Sequence, residues 1–256
     1  MAALQIVQIP CLQDNYGYLI HDPDANLTAS VDTPDAAAIE RALADHGWQL
    51  DYILNTHHHS DHAGGNLALK AKTGCVVVGS KSDAARIPGI DILVGDGDCF
   101  TLGTHRARIF ETSGHTVRHI CYVFEADHAA FVGDTLFSMG CGRLFEGTPA
   151  QMWTSLQKLM ALPDDTRVYC AHEYTANNGR FAVTLEPGNA ALSGRLREVA
   201  ELRAAGQPTV PSTIGLEKAT NPFLRPASPE LRATLGLVAA TDVEVLAETR
   251  RRKDRF

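Results

Sequence analysis

One short segment carries histidine and aspartate side chains with the spacing of metal ligands. In the run T-H-H-H-S-D-H, His57 and His59 flank His58, and Asp61 and His62 come after one serine. Side chains alternate in an extended segment, so His57 and His59 point the same way and His58 points away. The chain then turns, and Asp61 and His62 can both reach the same place. The segment can therefore serve two neighbouring metal ions.

Four β-like runs each lead into residues that can bind a metal ion. Their ends carry the cluster around His57 and the separate residues His115, Asp134 and His172. The runs are Tyr52–Asn55, Arg108–Glu111, Ala129–Gly133 and Val168–Ala171. The carboxyl ends of strands are where α/β proteins place their chemistry. If these strands share sheets, we expect their ends to converge on one rim.

Five imidazoles and two carboxylates are too many for one ion, because one ion takes about four ligands and a catalytic ion keeps one position open. We therefore predict two divalent ions joined by a bridging carboxylate. We assign His57, His59 and His115 to the first ion, and Asp61, His62 and His172 to the second. Asp134 is the carboxylate that bridges them. Zn²⁺ fits this set, and iron or manganese is also accepted by imidazole and carboxylate. Asp32, near an earlier strand end, can hydrogen-bond a ligand histidine or cap a turn.

Composition and charge exclude several classes of protein. The chain has 256 residues, of which 45% are apolar and 21% charged, and its net charge of −7 argues against a general nucleic-acid binder. We expect no membrane association, because the N-terminus lacks a basic stretch and no apolar run reaches a membrane-spanning length. The six cysteines never form C-x-x-C, which favours reduced, packed thiols in a cytoplasmic protein. No obligate protein partner is evident.

The order of predicted elements indicates a mixed α/β domain, residues 1–172, followed by a helical domain, residues 173–256. A helix is predicted to begin at Thr33-Pro34-Asp35, with the proline in its first turn, and to end near Gly47. The T-x-x-Q spacing at 148–151 matches a capping box, and Met and Leu residues follow it as an apolar stripe. After residue 173, β-branched runs largely disappear and helical spacing dominates.

The run T-H-H-H-S-D-H-A-G-G resembles the signature of the metallo-β-lactamase superfamily. Further motifs are similar to those of one family within it, glyoxalase II, which hydrolyses hydroxyacylglutathiones. These motifs are S-G-H-T, F-V-G-D-T-L-F, G-C-G-R-L-F-E-G-T, A-H-E-Y-T, N-P-F-L-R and R-R-K-D. The resemblance covers nearly the whole chain and implies an α+β fold, a four-layer αβ/βα sandwich with a C-terminal helical domain. It also implies a binuclear metal site on the ligands given above.

The reaction implied by the resemblance is hydrolysis of S-D-lactoylglutathione to D-lactate and glutathione, the second step of methylglyoxal detoxification. The family's substrate contacts correspond to Arg143, Phe145, Tyr174, Arg250 and Lys253. The family often has Lys in place of Arg143 and Tyr in place of Phe145, so the hydroxyl of that tyrosine is lost. Because Arg250 and Lys253 are three residues apart on a helix, they share one face. We predict that they bind the glycine-end carboxylate of glutathione.

The expected mechanism starts from a metal-activated hydroxide that attacks the thioester carbonyl. Asp61 takes the proton of the hydroxide as the intermediate collapses, Asp134 bridges the ions, and Tyr174 donates near the sulfur. One alternative is a glutathione persulfide dioxygenase with a single iron, which metal content would distinguish. Another is a non-catalytic relative that acts as a binding module. Loss of ligands would mark such a relative, and here all seven are present.

Overall fold

The computed structural model describes residues 2–256, which pack into two compact units. The first unit comprises the chain up to Glu111 together with Arg118–Gly133, and the second comprises Thr112–Val117 and Asp134–Phe256. The predicted domains, residues 1–172 and 173–256, stay a prediction.

The first unit contains a six-stranded mixed sheet. Its strands, in spatial order, are β1 (Gln5–Cys11), β2 (Asn15–Asp22), β3 (Leu27–Val31), β4 (Tyr52–Leu54), β5 (Val76–Ser80) and β6 (Ile92–Val94). The first three strands are antiparallel, and β3 to β6 are parallel. A parallel arrangement brings the carboxyl ends of β3 and β4 to the same edge. The segments that follow these two strands therefore lie side by side.

Four further strands of the first unit form an antiparallel series. They are β7 (Cys99–Leu102), β8 (His105–Glu111), β9 (Ile120–Phe124) and β10 (Ala129–Gly133). Every residue of β9 and β10 is buried. This burial explains their continuous apolar sequences, which lack the alternation of a strand with one face in water.

Three helices complete the first unit: α1 (Ala36–His46), α2 (Ser60–Ala63) and α3 (Asn66–Thr73). Helix α1 is capped by the side chain of Asp35, which accepts from the N–H of Ala38, and by Gly47 in the left-handed conformation. The prediction that Pro34 lies in the first turn is wrong, because Asp35 is the N-cap and Pro34 precedes it. An Asp side chain that accepts a hydrogen bond from the backbone N–H three residues later fixes the start of the helix.

The second unit is mostly helical. Its strands are β11 (Leu136–Phe137), β12 (Gly140–Cys141), β13 (Arg167–Cys170) and β14 (Ser212–Thr213). Its helices are α4 (Pro149–Met160), α5 (Thr175–Leu185), α6 (Ala190–Ala204), α7 (Ile214–Thr220), α8 (Pro229–Leu235) and α9 (Asp242–Lys253). The capping box predicted at Thr148 and Gln151 is confirmed at the start of α4. Met152 and Leu156 of the predicted apolar stripe are fully buried.

The cysteines agree with the predicted absence of a disulfide framework. None of the six cysteines of residues 2–256 forms a disulfide bond, and only Cys99 among them is exposed. Burial raises the pKa of Cys141 to about 11 and that of Cys170 to about 12, so these thiols stay protonated and unreactive at neutral pH. Within residues 2–256, no helix combines the length and the apolar character that crossing a membrane requires.

Candidate metal centre

In the first unit, His57 and His59, both predicted ligands, lie side by side just after β4. Nε2 of His57 lies 2.9 Å from Nδ1 of His59. Nδ1 of His57 lies 3.1 Å from the hydroxyl oxygen of Thr56, and that hydroxyl donates to Asp32 at 2.8 Å. The Thr56 oxygen therefore accepts from Nδ1–H of His57. This contact fixes the ring and turns Nε2 toward His59, as expected of a metal ligand.

Asp61 and His62 form a second pair of predicted ligands in the first unit, on α2. Nε2 of His62 lies 3.7 Å from Oδ2 of Asp61. Nδ1–H of His62 donates to Oδ2 of Asp32 at 2.8 Å, and Oδ1 of Asp32 accepts from the backbone N–H of Thr56 at 2.8 Å. One buried carboxylate thus orients His62 directly and His57 through Thr56. Of the two roles the sequence left open for Asp32, the structure shows the hydrogen bond to a predicted ligand histidine, His62.

Two other histidines near these pairs have supporting contacts. Nδ1 of His58 lies 3.0 Å from a carboxylate oxygen of the fully buried Asp83. His119 is fully buried, and its ring stacks on His57 with 4.9 Å between centroids. A Cβ on Gly133 would lie 2.6 Å from Nε2 of His119, so only glycine lets β10 end this close to the imidazole.

In the second unit, the Asp134 carboxylate lies between His115 and His172. Oδ2 of Asp134 is 3.4 Å from Nε2 of His115, and Oδ1 is 3.5 Å from Nε2 of His172. All three side chains are buried. Nδ1–H of His115 donates to the carbonyl oxygen of Arg143 at 2.9 Å, which turns its Nε2 toward the carboxylate. Each carboxylate oxygen therefore faces a different imidazole.

The spacing within these pairs fits divalent metal ions. Two ligands of a tetrahedral ion with bonds of about 2.0–2.1 Å are separated by about 3.3–3.4 Å. The separations of 3.4 and 3.5 Å in the second unit match this value, and those of 2.9 and 3.7 Å in the first unit bracket it. Imidazole and carboxylate donors without thiolate are typical of catalytic rather than structural sites. The His and Asp groups thus fit a binuclear divalent metal centre.

Aromatic side chains surround the ligands of the second unit. The ring of Tyr174 stacks on His172 with 4.6 Å between centroids and a 4° angle between planes. Phe137 meets the same imidazole edge-on at 5.8 Å. Phe145 packs against His115 at 5.2 Å, although 63% of its surface is exposed. Phe145 and Tyr174, both predicted substrate contacts, thus lie directly beside predicted ligands.

Arg250 and Arg143 lie around one carboxylate. Arg250 is buried, and its Nη1 donates to the carbonyl oxygen of Cys141 at 2.9 Å. Its Nε and Nη2 contact Oδ1 of Asp254 at 2.9 and 2.8 Å. Nε of Arg143 lies 3.8 Å from the same oxygen. Asp254, at the end of the R-R-K-D motif, thus draws two of the predicted substrate cations together.

Lys253 adds a partly buried cation to this group. Its Nζ lies 5.4 Å from the ring centre of Phe181 and donates to the carbonyl oxygen of Asn177 at 3.3 Å. Burial, and then the charges of Arg250, Arg180 and Arg143, lower the pKa of Lys253 to about 8. Arg180 was not predicted from the sequence, because none of the motifs contains it. The cationic cluster, Arg143, Arg180, Arg250 and Lys253, is suited to an anionic ligand.

Comparisons with known proteins cover nearly the whole chain. A family model described as "Metallo-beta-lactamase superfamily" matches residues 28–172, and one described as "Hydroxyacylglutathione hydrolase C-terminus" matches residues 173–256. A hydroxyacylglutathione hydrolase of Methylococcus capsulatus is 58% identical over 253 residues, which are 99% of both chains. That of Maricaulis maris is 57% identical over the full length of both. The chain belongs to the hydroxyacylglutathione hydrolase family.

The fold of this hydroxyacylglutathione hydrolase family member is confirmed by solved structures. The B3 metallo-β-lactamase BLEG-1 aligns with a TM-score of 0.66 at 23% identity, over 86% of this chain and 100% of that one. At this identity the likeness concerns the fold alone. Together with the family model that matches residues 28–172, it confirms the predicted α+β sandwich of the metallo-β-lactamase superfamily, and helices α5 to α9 form the C-terminal helical region.

Proposed function

We propose that this chain hydrolyses the thioester of S-D-lactoylglutathione and related 2-hydroxyacylglutathiones, releasing D-lactate and glutathione. Its family membership supports a hydroxyacylglutathione hydrolase. The observation that carries the proposal is the Asp134 carboxylate, whose two oxygens face two different buried imidazoles. Such a carboxylate suits a bridge between two metal ions. We assign the reaction to the cytoplasm, as the second step of methylglyoxal detoxification.

We further propose two divalent ions per chain. The ligand sets and the bridge are those inferred from the sequence: His57, His59 and His115; Asp61, His62 and His172; and Asp134. Zn²⁺ fits these donors, and iron and manganese remain compatible with them. When bound, the ions supply a nucleophilic hydroxide at neutral pH and polarise the thioester carbonyl.

Residues that contact the proposed metal ligands hold the donor atoms of these ligands in position. Asp32 fixes the ring of His62 and, through Thr56, that of His57. The amide of Asn15 donates to Oδ2 of Asp61 at 3.1 Å, which holds this carboxylate in place to take the proton of the nucleophile. A rigid donor set reduces the reorganisation that the reaction would otherwise require.

The cationic cluster gives the substrate its second anchor. Glutathione carries a carboxylate at its glycine end, and guanidinium and ammonium groups are natural partners for it. Arg143, Arg250 and Lys253 supply three cations against the single carboxylate of Asp254. We assign the glycine-end carboxylate to Arg250 and Lys253. Phe145 and Tyr174 then line the path of the thioester toward His115 and His172.

A direct assay tests the function. S-D-lactoylglutathione is mixed with metal-loaded protein, and loss of the thioester is followed by ultraviolet absorbance. We expect turnover that a chelator abolishes and that added Zn²⁺ restores. Absence of turnover in the metal-loaded protein would overturn the proposal. Oxygen uptake with glutathione persulfide, by a preparation containing one iron per chain, would favour the dioxygenase alternative instead.

A matched pair of variants tests the anchor. Arg250→Ala combined with Lys253→Ala should raise KM far more than it lowers kcat, because it removes binding energy that is remote from the reacting bond. Arg255→Ala is the control, since this neighbouring cation is exposed and outside the cluster. An unchanged KM in the double variant would show that Arg250 and Lys253 do not bind the substrate.

A further inference from the structure

The N-P-F-L-R motif has no part in the function described so far, yet its side chains are buried. Asn221 and Phe223 have no exposed surface. The segment follows α7 and bends sharply, because the N–H of Phe223 donates to Oδ1 of Asn221 at 3.0 Å. This bond fixes Phe223 relative to Asn221.

Asn221 holds the hairpin formed by β11 and β12. Its amide donates to the carbonyl oxygens of Phe137 at 3.1 Å and Gly140 at 2.9 Å. These two residues pair with each other on either side of the hairpin turn. A side chain that donates to both strands sets the shape of the turn and the direction of the carbonyl groups that follow it.

The turn itself is conformationally demanding. Met139 has a φ of +55°, in the left-handed region that residues other than glycine seldom adopt. Its N–H donates to the buried carboxylate of Glu217 at 2.7 Å, and its side chain is fully buried beside Ala182 and Leu192. Strained backbone persists where surrounding contacts determine it, and it is common at functional sites.

The hairpin and the motif meet at Arg250. The carbonyl oxygen of Cys141, on β12, accepts from Nη1 of Arg250 at 2.9 Å. The guanidinium carbon of Arg250 lies 5.2 Å from the ring centre of Phe223, within the range of a cation–π contact. Asn221 therefore positions two of the three groups around this guanidinium, Phe223 through its own turn and Cys141 through the hairpin, while the third is Asp254.

We propose that Asn221 and Phe223 are positioning residues that orient Arg250 for the glycine-end carboxylate of the substrate. This inference rests on the proposed role of Arg250. A free arginine side chain loses rotamer entropy when it is ordered. A guanidinium that is already held by a ring, a carbonyl group and Asp254 loses less on binding, so its affinity for the substrate carboxylate is higher.

The test compares two substrates that differ only at the glycine carboxylate. Phe223→Leu is assayed on S-D-lactoylglutathione and on its analogue in which the glycine carboxylate is replaced by a primary amide, so that the negative charge that Arg250 would bind is absent. We expect kcat/KM for the glutathione thioester to fall about 3- to 20-fold, mainly through KM, as loss of a cation–π contact predicts. For the amidated thioester we expect a change of less than about twofold. Asn221→Ala should act in the same direction.

Two controls separate positioning from a general structural role. Phe124→Leu makes the same substitution at a fully buried position in β9 of the first unit, and it should leave the ratio of the two kcat/KM values unchanged. In an Arg250→Ala background, Phe223→Leu should raise KM no further, because the group that it orients is gone.

The outcomes are distinguishable. Equal losses on both thioesters in Phe223→Leu and Asn221→Ala would overturn the inference and leave the proposed function intact. If Arg250→Ala itself fails to discriminate between the two thioesters, the proposed role of Arg250 is wrong, and the inference falls with it. A selective loss that disappears in the Arg250→Ala background supports the inference.

Discussion

Lys253 should make substrate binding depend on pH near 8. Burial and the neighbouring guanidinium groups of Arg250, Arg180 and Arg143 lower the pKa of its ammonium group to about 8. The side chain is therefore charged below this pH and becomes neutral above it. A substrate carboxylate is attracted only to the charged form, so binding is strong below pH 8 and weakens as the pH rises.

The size of the effect follows from the pKa. With a pKa of about 8, roughly nine tenths of Lys253 is charged at about pH 7 and roughly one tenth at about pH 9. If only the charged form binds the glycine-end carboxylate, kcat/KM falls about tenfold over this interval. The midpoint should lie near 8, because kcat/KM reports the ionisation of the free enzyme.

The assay is a profile of kcat/KM for S-D-lactoylglutathione between about pH 6.5 and about pH 9.5. Lys253→Arg is the matched variant, since a guanidinium stays charged throughout this range. Ionisation of the substrate amino group affects both proteins equally, so it cancels in their ratio. We expect the ratio of wild type to variant to fall about tenfold as the pH rises. Parallel profiles would refute the reasoning and show that the charge of Lys253 does not control binding.

Three further substitutions test other parts of the site. Asp32→Asn should weaken metal affinity about 10- to 100-fold in a chelator competition, because the residue orients His62; unchanged affinity would exclude that role. Phe145→Tyr should lower KM about 2- to 10-fold if the new hydroxyl finds a partner on glutathione, whereas an equal or higher KM would mean that it finds none. Gly133→Ala should lower the Tm by several degrees, because φ is +48° and the new Cβ would lie 2.6 Å from Nε2 of His119; an unchanged Tm would contradict this.

Much of the first unit was predictable, because its strands are apolar runs bounded by turn residues. The predicted run Ala129–Gly133 coincides with β10, and Tyr52–Asn55 differs from β4 by one residue. No run was predicted at β6 (Ile92–Val94) or β7 (Cys99–Leu102). Residues that can bind a metal ion follow the strands as predicted, because the residue after a strand lies at the edge of the sheet regardless of the conformation of the loop.

The supporting residues were harder to predict, because their partners are distant in sequence. Arg250 donates to a carbonyl group 109 residues away, and Asn221 holds carbonyl groups more than 80 residues away. No periodicity or local spacing reports such contacts. The motifs indicated Arg143 and Lys253, but only the structure shows that Asp254 joins Arg143 to Arg250. The sequence could suggest two roles for Asp32, and only packing decided between them.

The most direct test of the account is the number of metal ions in active protein. Metal per chain is measured by mass spectrometry alongside thioester hydrolysis, while metal is added stepwise to the chelated wild type and to Asp134→Ala. We expect wild-type activity to rise until two ions are bound, and the variant to lose both ions or bind them weakly. Full activity with one ion per chain, or an Asp134→Ala variant that keeps two ions at full occupancy, would contradict the account.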